Sequence, residues 1–239
     1  MSLAADYQSL VRDRLADAED ASVLLPLALV QACVQVLAVD GAGLSLTQDL
    51  RVPLSASSDM VARAERLQIT LGEGPCLSAT DAGGPLIADL AAVTTKWPVF
   101  GAELVGQTPF RSVASLPLRL PGGDRLGAVD LYSRDEGGLP FATIPDVGME
   151  MADLMATNLV GTSGWLGDDD DLGWRDTHVA AARRLDVWVA VGMVIGATSM
   201  TNVDALAVLR AYAFAHGLSL DDLAGLLTSR RLAVQALLE

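Results

Sequence analysis

Cys76 ends the stretch LQITLGEGPC, residues 67–76, and only one other cysteine, Cys33, occurs in the 239-residue chain. A thiol works as a thiolate, which requires a nearby base, a cation or a helix N-terminus. The only histidines, His178 and His216, lie near the C-terminal end. The region around Cys76 therefore offers no imidazole for a Cys-His pair, a haem ligand or a zinc site. One route to activation remains: Gly72-Glu73-Gly74-Pro75 reads as a helix entry whose exposed N–H groups lower a thiol pKa, and Glu73 opposes that effect. The turn lacks the Lys-Ser/Thr ending and the longer glycine spacing of a phosphate loop. Free cysteines are usually buried wall residues, and Cys76 is expected to be one, with redox sensing and catalysis as the alternatives. Two cysteines without CxxC spacing are too few for a disulfide framework and are expected to be reduced. The stretch as a whole reads as strand, tight turn and helix start, lining a ligand cavity without reacting.

Two other groups of residues invite chemistry. Four consecutive aspartates at 168–171 suggest a cation site, but consecutive side chains converge only in a turn-forming loop with spaced ligands, so a solvated linker is the simpler reading. No metal or cofactor is expected. Near the C-terminus, Arg183, Arg184, Arg210, Arg230 and Arg231 remain once apolar helix faces are assigned. As a phosphate-facing patch, with Tyr212 as a stacking ring, they suit RNA; as scattered helix-surface charges they are merely solvated.

The elements that must carry these residues fall into two regions. The net charge of −14 is confined to the first: residues 1–173 hold ten Lys/Arg against 24 Asp/Glu, whereas 174–239 hold six Arg against six acids. The sharpest break is GTSGWLGDDDDLGW at 161–174, expected to be a linker. The divisions are a helical lead at 1–19, a larger domain at 20–160, an acidic Gly/Asp linker at 161–173 and a helical domain at 174–236. The larger domain alternates in type. A helix near 21–33 leads through VQVLAV to the turn Asp40-Gly41-Ala42-Gly43 and the strands GLSLT and LRVPL. A short helix at 59–67, the GEGPC turn with its helix, the strand PLIADL and a loop at Lys96-Trp97-Pro98 follow. Strands at 112–120 and 125–133 flank a Pro-Gly-Gly-Asp hairpin turn, and a helix at 144–160 closes the domain with Met149, Met151, Leu154, Met155 and Leu159 for its apolar face. The result is α+β: an antiparallel sheet with helices segregated to one side.

Beyond the linker the pattern is three helices. The first, at 177–197, spaces Ala181, Leu185, Trp188, Gly192 and Ile195 along one face. Thr201-Asn202-Val203-Asp204 caps the second, which ends at His216-Gly217 and carries Leu206, Leu209 and Ala213 on one face. Ser219-Leu220-Asp221-Asp222 caps the third, with Leu220, Leu223, Ala224 and Leu227. A bundle of roughly 60 residues is marginal alone and gains from a neighbour or a dimer. The chain is 51% apolar and 19% charged, with mean hydropathy +0.37, yet no charge-free apolar run reaches about 18 residues. Its first residues are acidic and lack an apolar core, so neither a leader nor a membrane anchor is expected, and the expected compartment is the cytoplasm.

The larger region resembles a GAF domain of the kind common in actinobacterial regulators. The match runs in order through Leu67-Gln68, Thr70 to Cys76, Asp89-Leu90, Trp97-Pro98, Leu116-Pro117-Leu118 and Leu126-Gly127-Ala128-Val129-Asp130-Leu131-Tyr132. The C-terminal bundle resembles an ANTAR domain through Ala190-Val191-Gly192-Met193-Val194, Asp204-Ala205-Leu206, Leu209-Arg210, Ala213 and Leu220 to Ala224. The resemblance implies a regulator in which a small-molecule or protein signal acts at a GAF cavity, with Gly72, Glu73, Cys76, Trp97 and Asp130 as candidate lining residues. It implies that two ANTAR bundles of a homodimer bind paired stem-loops in a nascent transcript and prevent a terminator from forming. Two features depart from the pattern: Gly196-Ala197 stands where many relatives carry a basic residue, and the acidic linker replaces a continuous helix. A ligand-sensing or dimerisation protein whose bundle does not bind RNA is thus the second reading. A third is a thiol enzyme, since some GAF relatives reduce methionine sulfoxide through cysteines, which would require Cys33 to reach Cys76.

Overall fold

Alternation along the strands sets the architecture, because each strand is covered on both faces. In β5 (Arg125–Ser133), Val129 and Leu131 enter one apolar layer, while Ala128, Asp130 and Tyr132 point to the other. The computed structural model describes residues 2–16, 21–47, 51–120, 122–123, 125–136, 144–161 and 179–238. The four aspartates at 168–171, His178 and the side chains of Ala181, Arg183 and Arg184 lie outside the described residues.

Five strands form one antiparallel sheet in the order β2-β1-β5-β4-β3, where β1 is Gly41–Thr47, β2 Arg51–Ala56, β3 Leu86–Ala88 and β4 Ser112–Arg119. One face is covered by α1 (Leu3–Leu15), α2 (Ala21–Leu37) and α7 (Met149–Gly161), whose Tyr7, Leu29, Cys33, Met151 and Met155 pack on Leu44, Leu116 and Leu131. The other face is covered by α3 (Asp59–Leu71), α4 (Pro75–Ala82), α5 (Leu90–Lys96) and α6 (Pro98–Gln107), with Val61, Val93, Phe100 and Leu104 in that layer. The expectation of helices on one side only is therefore corrected. β4 is buried at every position but its last, with Ser112 and Ser115 buried among its apolar residues, so burial without alternation marks a two-sided strand.

A second correction concerns LQITL, which is the last part of α3 and not a strand. Ser58 caps the helix by accepting from Val61 N at 3.3 Å, and Val61, Ala64, Glu65 and Gln68 form one buried stripe at helical spacing. Ile and Thr imitate a strand locally, but Gly72 closes the helix in the left-handed conformation (φ 69°), with its N–H donating to Gln68 O. Gly74 then precedes Pro75, the first residue of α4. The segment is helix, turn, helix. The helix expected at 21–33 likewise continues through the VQVL segment to Leu37.

The C-terminal helices are α8 (Val179–Thr198), α9 (Asn202–Ala215) and α10 (Leu220–Thr228). Thr201 and Ser219 cap α9 and α10 by accepting from Asp204 N at 3.2 Å and Asp222 N at 3.1 Å, as their sequence patterns indicate. Their core joins Leu209, Ala213, Leu223, Ala224 and Leu227 to Val187, Ala190, Val191 and Val194 of α8. The face expected for the first helix is not the buried one: Leu185 is 44% and Trp188 40% exposed. α8 is apolar around most of its circumference, so periodicity alone does not select a face; close approach of α9 and α10 selects the side bearing the smaller Ala and Val residues. Among the described residues no single helix is long and apolar enough to cross a membrane.

The packing predicts a contrast within the bundle. Leu209→Ala removes a fully buried side chain and costs about 2–5 kcal/mol; Leu185→Ala, at the exposed position, changes stability by no more than about 0.5 kcal/mol. Urea unfolding of the two variants measures the difference.

Candidate functional site: a guanidinium buried between two carboxylates

The apolar layer between the sheet and α3/α4 is interrupted by one polar cluster. Strand pairing places Ser115 opposite Asp130, and Val113 opposite Tyr132; Ser45 on β1 and Arg51 at the start of β2 share this face. α3 supplies Glu65 and Gln68 from above. Ser45, Arg51, Glu65, Gln68, Cys76, Ser115, Asp130 and Tyr132 are all within a few per cent of complete burial.

Arg51 is the centre. Its Nη2 donates to Glu65 Oε2 at 2.5 Å and to Asp130 Oδ2 at 2.9 Å, and its Nε donates to Ser45 Oγ at 2.8 Å. Gln68 Nε2 donates to Asp130 Oδ2 at 2.7 Å and to Tyr132 Oη at 3.0 Å, and Tyr132 in turn donates to Glu65 Oε1 at 2.7 Å. Ser115 donates to Asp130 Oδ1 at 2.5 Å. One cation thus faces two carboxylates in a dry interior, and charges in such a place are sustained only by pairing and hydrogen bonds. Burial drives the Glu65 carboxyl up to about 8, with Arg51 opposing the rise and Asp130 reinforcing it. Arg51 Nη1 is buried and has no hydrogen-bond partner among the described residues. Unpaired donors of this kind cost about 1–3 kcal/mol each and gain most from an incoming acceptor.

Of the five residues expected to line a cavity, the structure brings two together. Asp130 is a hub of the cluster, and Cys76 lies at its edge, its Sγ 3.8 Å from Ser45 Oγ and its N–H donating to Gln68 Oε1 at 3.0 Å. The other three make their contacts outside it. Glu73 Oε1 accepts from Phe100 N at 2.7 Å, satisfying an N–H of the first turn of α6, and Trp97 Nε1 donates to Ser78 Oγ at 3.1 Å. Gly72 ends α3 beneath Arg210, whose guanidinium would meet a Cβ there at 2.7 Å. Cys76 is a fully buried wall residue, and burial pushes its thiol up despite the neighbouring Arg51. Cys33 sits in the layer on the opposite face of the sheet, its thiol pushed up to about 12 by burial. The structure does not bring the two sulfurs to one site. No group of three or more His, Cys, Asp or Glu side chains is arranged to hold a metal among the described residues.

Arg51, Glu65, Gln68, Ser45, Ser115 and Tyr132 were not among the sequence candidates. A usable signal existed for two of them: read as a helix, residues 59–71 put Glu65 and Gln68 on the same stripe as Val61 and Ala64, which are apolar and buried. Two polar residues in an apolar stripe mark a buried polar site. Nothing local marks Arg51.

Of the predicted RNA-contacting residues, Arg230 and Arg231 are exposed, and Tyr212 stacks on His216 with ring centroids 3.9 Å apart. Arg210 is half-buried and faces the first domain, its Nε donating to Ile69 O at 3.3 Å. Arg183 and Arg184 belong to α8, with side chains outside the described residues.

Comparisons with family models and with curated proteins each found no match. Among solved structures, the chain is similar to a free methionine-R-sulfoxide reductase from Neisseria meningitidis in complex with its substrate (18% identity, 66% of this chain and 90% of that one, TM-score 0.44). It is also similar to the GAF domain of a phosphoenolpyruvate-protein phosphotransferase from Coxiella burnetii (16%, 67% and 99%, TM-score 0.44). A domain of a putative two-component sensor histidine kinase from Sinorhizobium meliloti is a third (14%, 57% and 89%, TM-score 0.46).

Two tests follow from the cluster. The folded pKa of Glu65 lies above its unfolded value of about 4.3, so the native state binds the extra proton and stability falls as pH rises from about 5 through 8. Glu65→Gln keeps the shape without the titration; urea midpoints measured between pH 5.5 and 8.5 are expected to decline less steeply than in the parent. Gly74→Ala places a Cβ within 2.5 Å of Gln68 Oε1 at φ 143° and is expected to cost about 1–3 kcal/mol, read as a lowered thermal midpoint.

Proposed function

We propose that the chain is a transcription regulator in which a GAF-type sensor domain controls a C-terminal ANTAR-type bundle that binds structured RNA in nascent transcripts and prevents termination. The observation that carries the sensor-to-output link is the end of α3, where three consecutive residues serve both halves of the chain. Gln68 holds Asp130 and Tyr132 in the buried cluster; Ile69 inserts its side chain into the bundle core and accepts from Arg210 on its carbonyl; Thr70 Oγ1 accepts from Leu220 N at 3.1 Å at the start of α10. A signal that rearranges Arg51, Asp130 and Gln68 therefore acts on the residue next to the bundle, provided it binds two arrangements with different affinity.

The sensing half is supported by the unpaired Nη1 of Arg51 inside the domain and by the ordered GAF-like motifs from Leu67 to Tyr132. The RNA half is supported by the ANTAR-like order of residues across three helices and by positive charge carried only by arginines in 174–239. Arg230, Arg231 and Tyr212, with Arg183 and Arg184, are the proposed contacts; Arg210 keeps its place at the joint. The signal is a small molecule or a protein, the active form a homodimer, the compartment the cytoplasm, with no membrane association and no enzymatic step. Two thiols pushed up by burial on opposite sides of the sheet favour this over thiol catalysis.

The exposed Leu185, Trp188 and Val189 on α8 favour a second reading, a sensing or dimerisation protein whose bundle does not bind RNA. Filter binding with structured RNA from the host separates the two. Under the first reading affinity falls steeply with salt, and Arg230→Glu/Arg231→Glu weakens binding at least tenfold and flattens the salt slope by roughly 0.7–0.9 per lost phosphate contact, with circular dichroism unchanged. Absence of any salt-dependent binding by the parent protein sinks the RNA reading.

A further inference from the structure

The first domain and the bundle do not close completely where Arg210 crosses between them. A cleft of about 410 Å³ opens at this joint, lined by Thr70 and Leu71 at the end of α3, Glu73 in the turn beyond it, Val99 of α6, and Arg210 and Phe214 of α9. That volume lies within the range of small-molecule sites, which combine apolar walls with a few polar groups.

The charge in the cleft is arranged unevenly. Arg210 uses Nε on the Ile69 carbonyl at 3.3 Å, which anchors the guanidinium against the last turn of α3, and its Nη1 and Nη2 have no hydrogen-bond partner among the described residues. The absence of a side chain on Gly72 leaves room for the guanidinium to lie flat there. Burial lowers the Arg210 pKa, and no carboxylate offsets this. The one acid in the lining, Glu73, already accepts from Phe100 N. Beside this cation in the lining stand Val99 and Phe214, 41% and 47% exposed, apolar side chains contributed one by each domain.

We propose that the joint cleft is a binding site for a small organic anion, whose carboxylate or phosphate pairs with the Nη groups of Arg210 and whose apolar body lies between Val99 and Phe214. Planar guanidinium groups bind both oxyanions in bidentate fashion, and an exposed Phe offers a stacking face. Because the walls come from both domains, such a ligand binds the docked arrangement and not a separated one, and it stabilises the joint by mass action. The assignment does not depend on RNA binding, and it lies outside the Arg51 cluster.

The test uses the full chain with phenyl phosphate and benzoate as probes, and inorganic phosphate as the control for charge alone. Calorimetric titration and thermal denaturation are expected to show saturable binding of at least one aromatic probe and a raised midpoint. Arg210→Gln is expected to weaken binding at least tenfold. Ala211→Phe fills the cleft from an exposed position of α9 without removing the cation, and is expected to do the same; it keeps the test intact if Arg210→Gln disturbs the joint. Leu185→Ala, remote on α8, is expected to leave binding unchanged. Equal affinity in the parent and in both cleft variants, no saturable binding of either aromatic probe, or equal affinity for inorganic phosphate and phenyl phosphate overturns the proposal. So does Arg210-dependent binding that is seen with RNA and not with either aromatic probe. RNA filter binding on the same samples reports separately on the bundle.

Discussion

The structure depends on one guanidinium held in a dry interior. Arg51 comes from the edge strand β2, yet its two carboxylate partners belong to α3 and to the central strand β5. Satisfying it requires the sheet, the helix above it and the GEGP turn to be in register together. Removing the guanidinium leaves two buried carboxyl groups facing each other without their cation, which is far more costly than never having buried them. A layer that is otherwise apolar thereby acquires a single defined arrangement, since Gln68, Tyr132 and Ser115 each have one geometry that satisfies the two acids.

The same helix passes this order to the rest of the chain. α3 has its inner stripe in the first domain, and its last turn protrudes far enough for Ile69 to become part of the bundle core. Burial of one Ile contributes about 1.5–3 kcal/mol, and the Arg210 and Thr70 hydrogen bonds add direction to a contact that burial alone leaves unspecific. The left-handed Gly72 ends the helix at the point where both domains require it to stop. Gly74 and Pro75 then return the chain so that Cys76 N reaches Gln68.

This arrangement explains why the cysteine is buried with its thiol raised, and why the loop is not incidental. Helix entry at Pro75 would favour a thiolate, but complete burial outweighs it and raises the thiol. Glu73, whose charge reads as a neighbour of Cys76 along the chain, is directed to α6 and caps it. Adjacent residues in a tight turn face different elements, so nearness along the chain is a poor guide to nearness of side chains.

The sequence by itself determined the five strands, the capped helices α9 and α10, and the burial of Cys76. The strands and helices rest on local physics, since turn residues, alternation and N-caps act within a few residues, and the expectation for Cys76 rests on how free cysteines are generally buried. Asp130 is named through the resemblance of its segment to a GAF domain, and the structure makes it a hub of the buried cluster. Only the tertiary structure decided that LQITL is helical, that helices cover both faces of the sheet, that α8 buries Val191 and not Trp188, and that Arg210 belongs to the joint. In each of these the local pattern admits two answers. A helix apolar on all sides has no preferred face, an Ile-Thr pair suits strand or helix, and an arginine's partner can lie 141 residues away. The choice falls to whichever packing leaves fewest apolar surfaces wet and fewest buried charges alone.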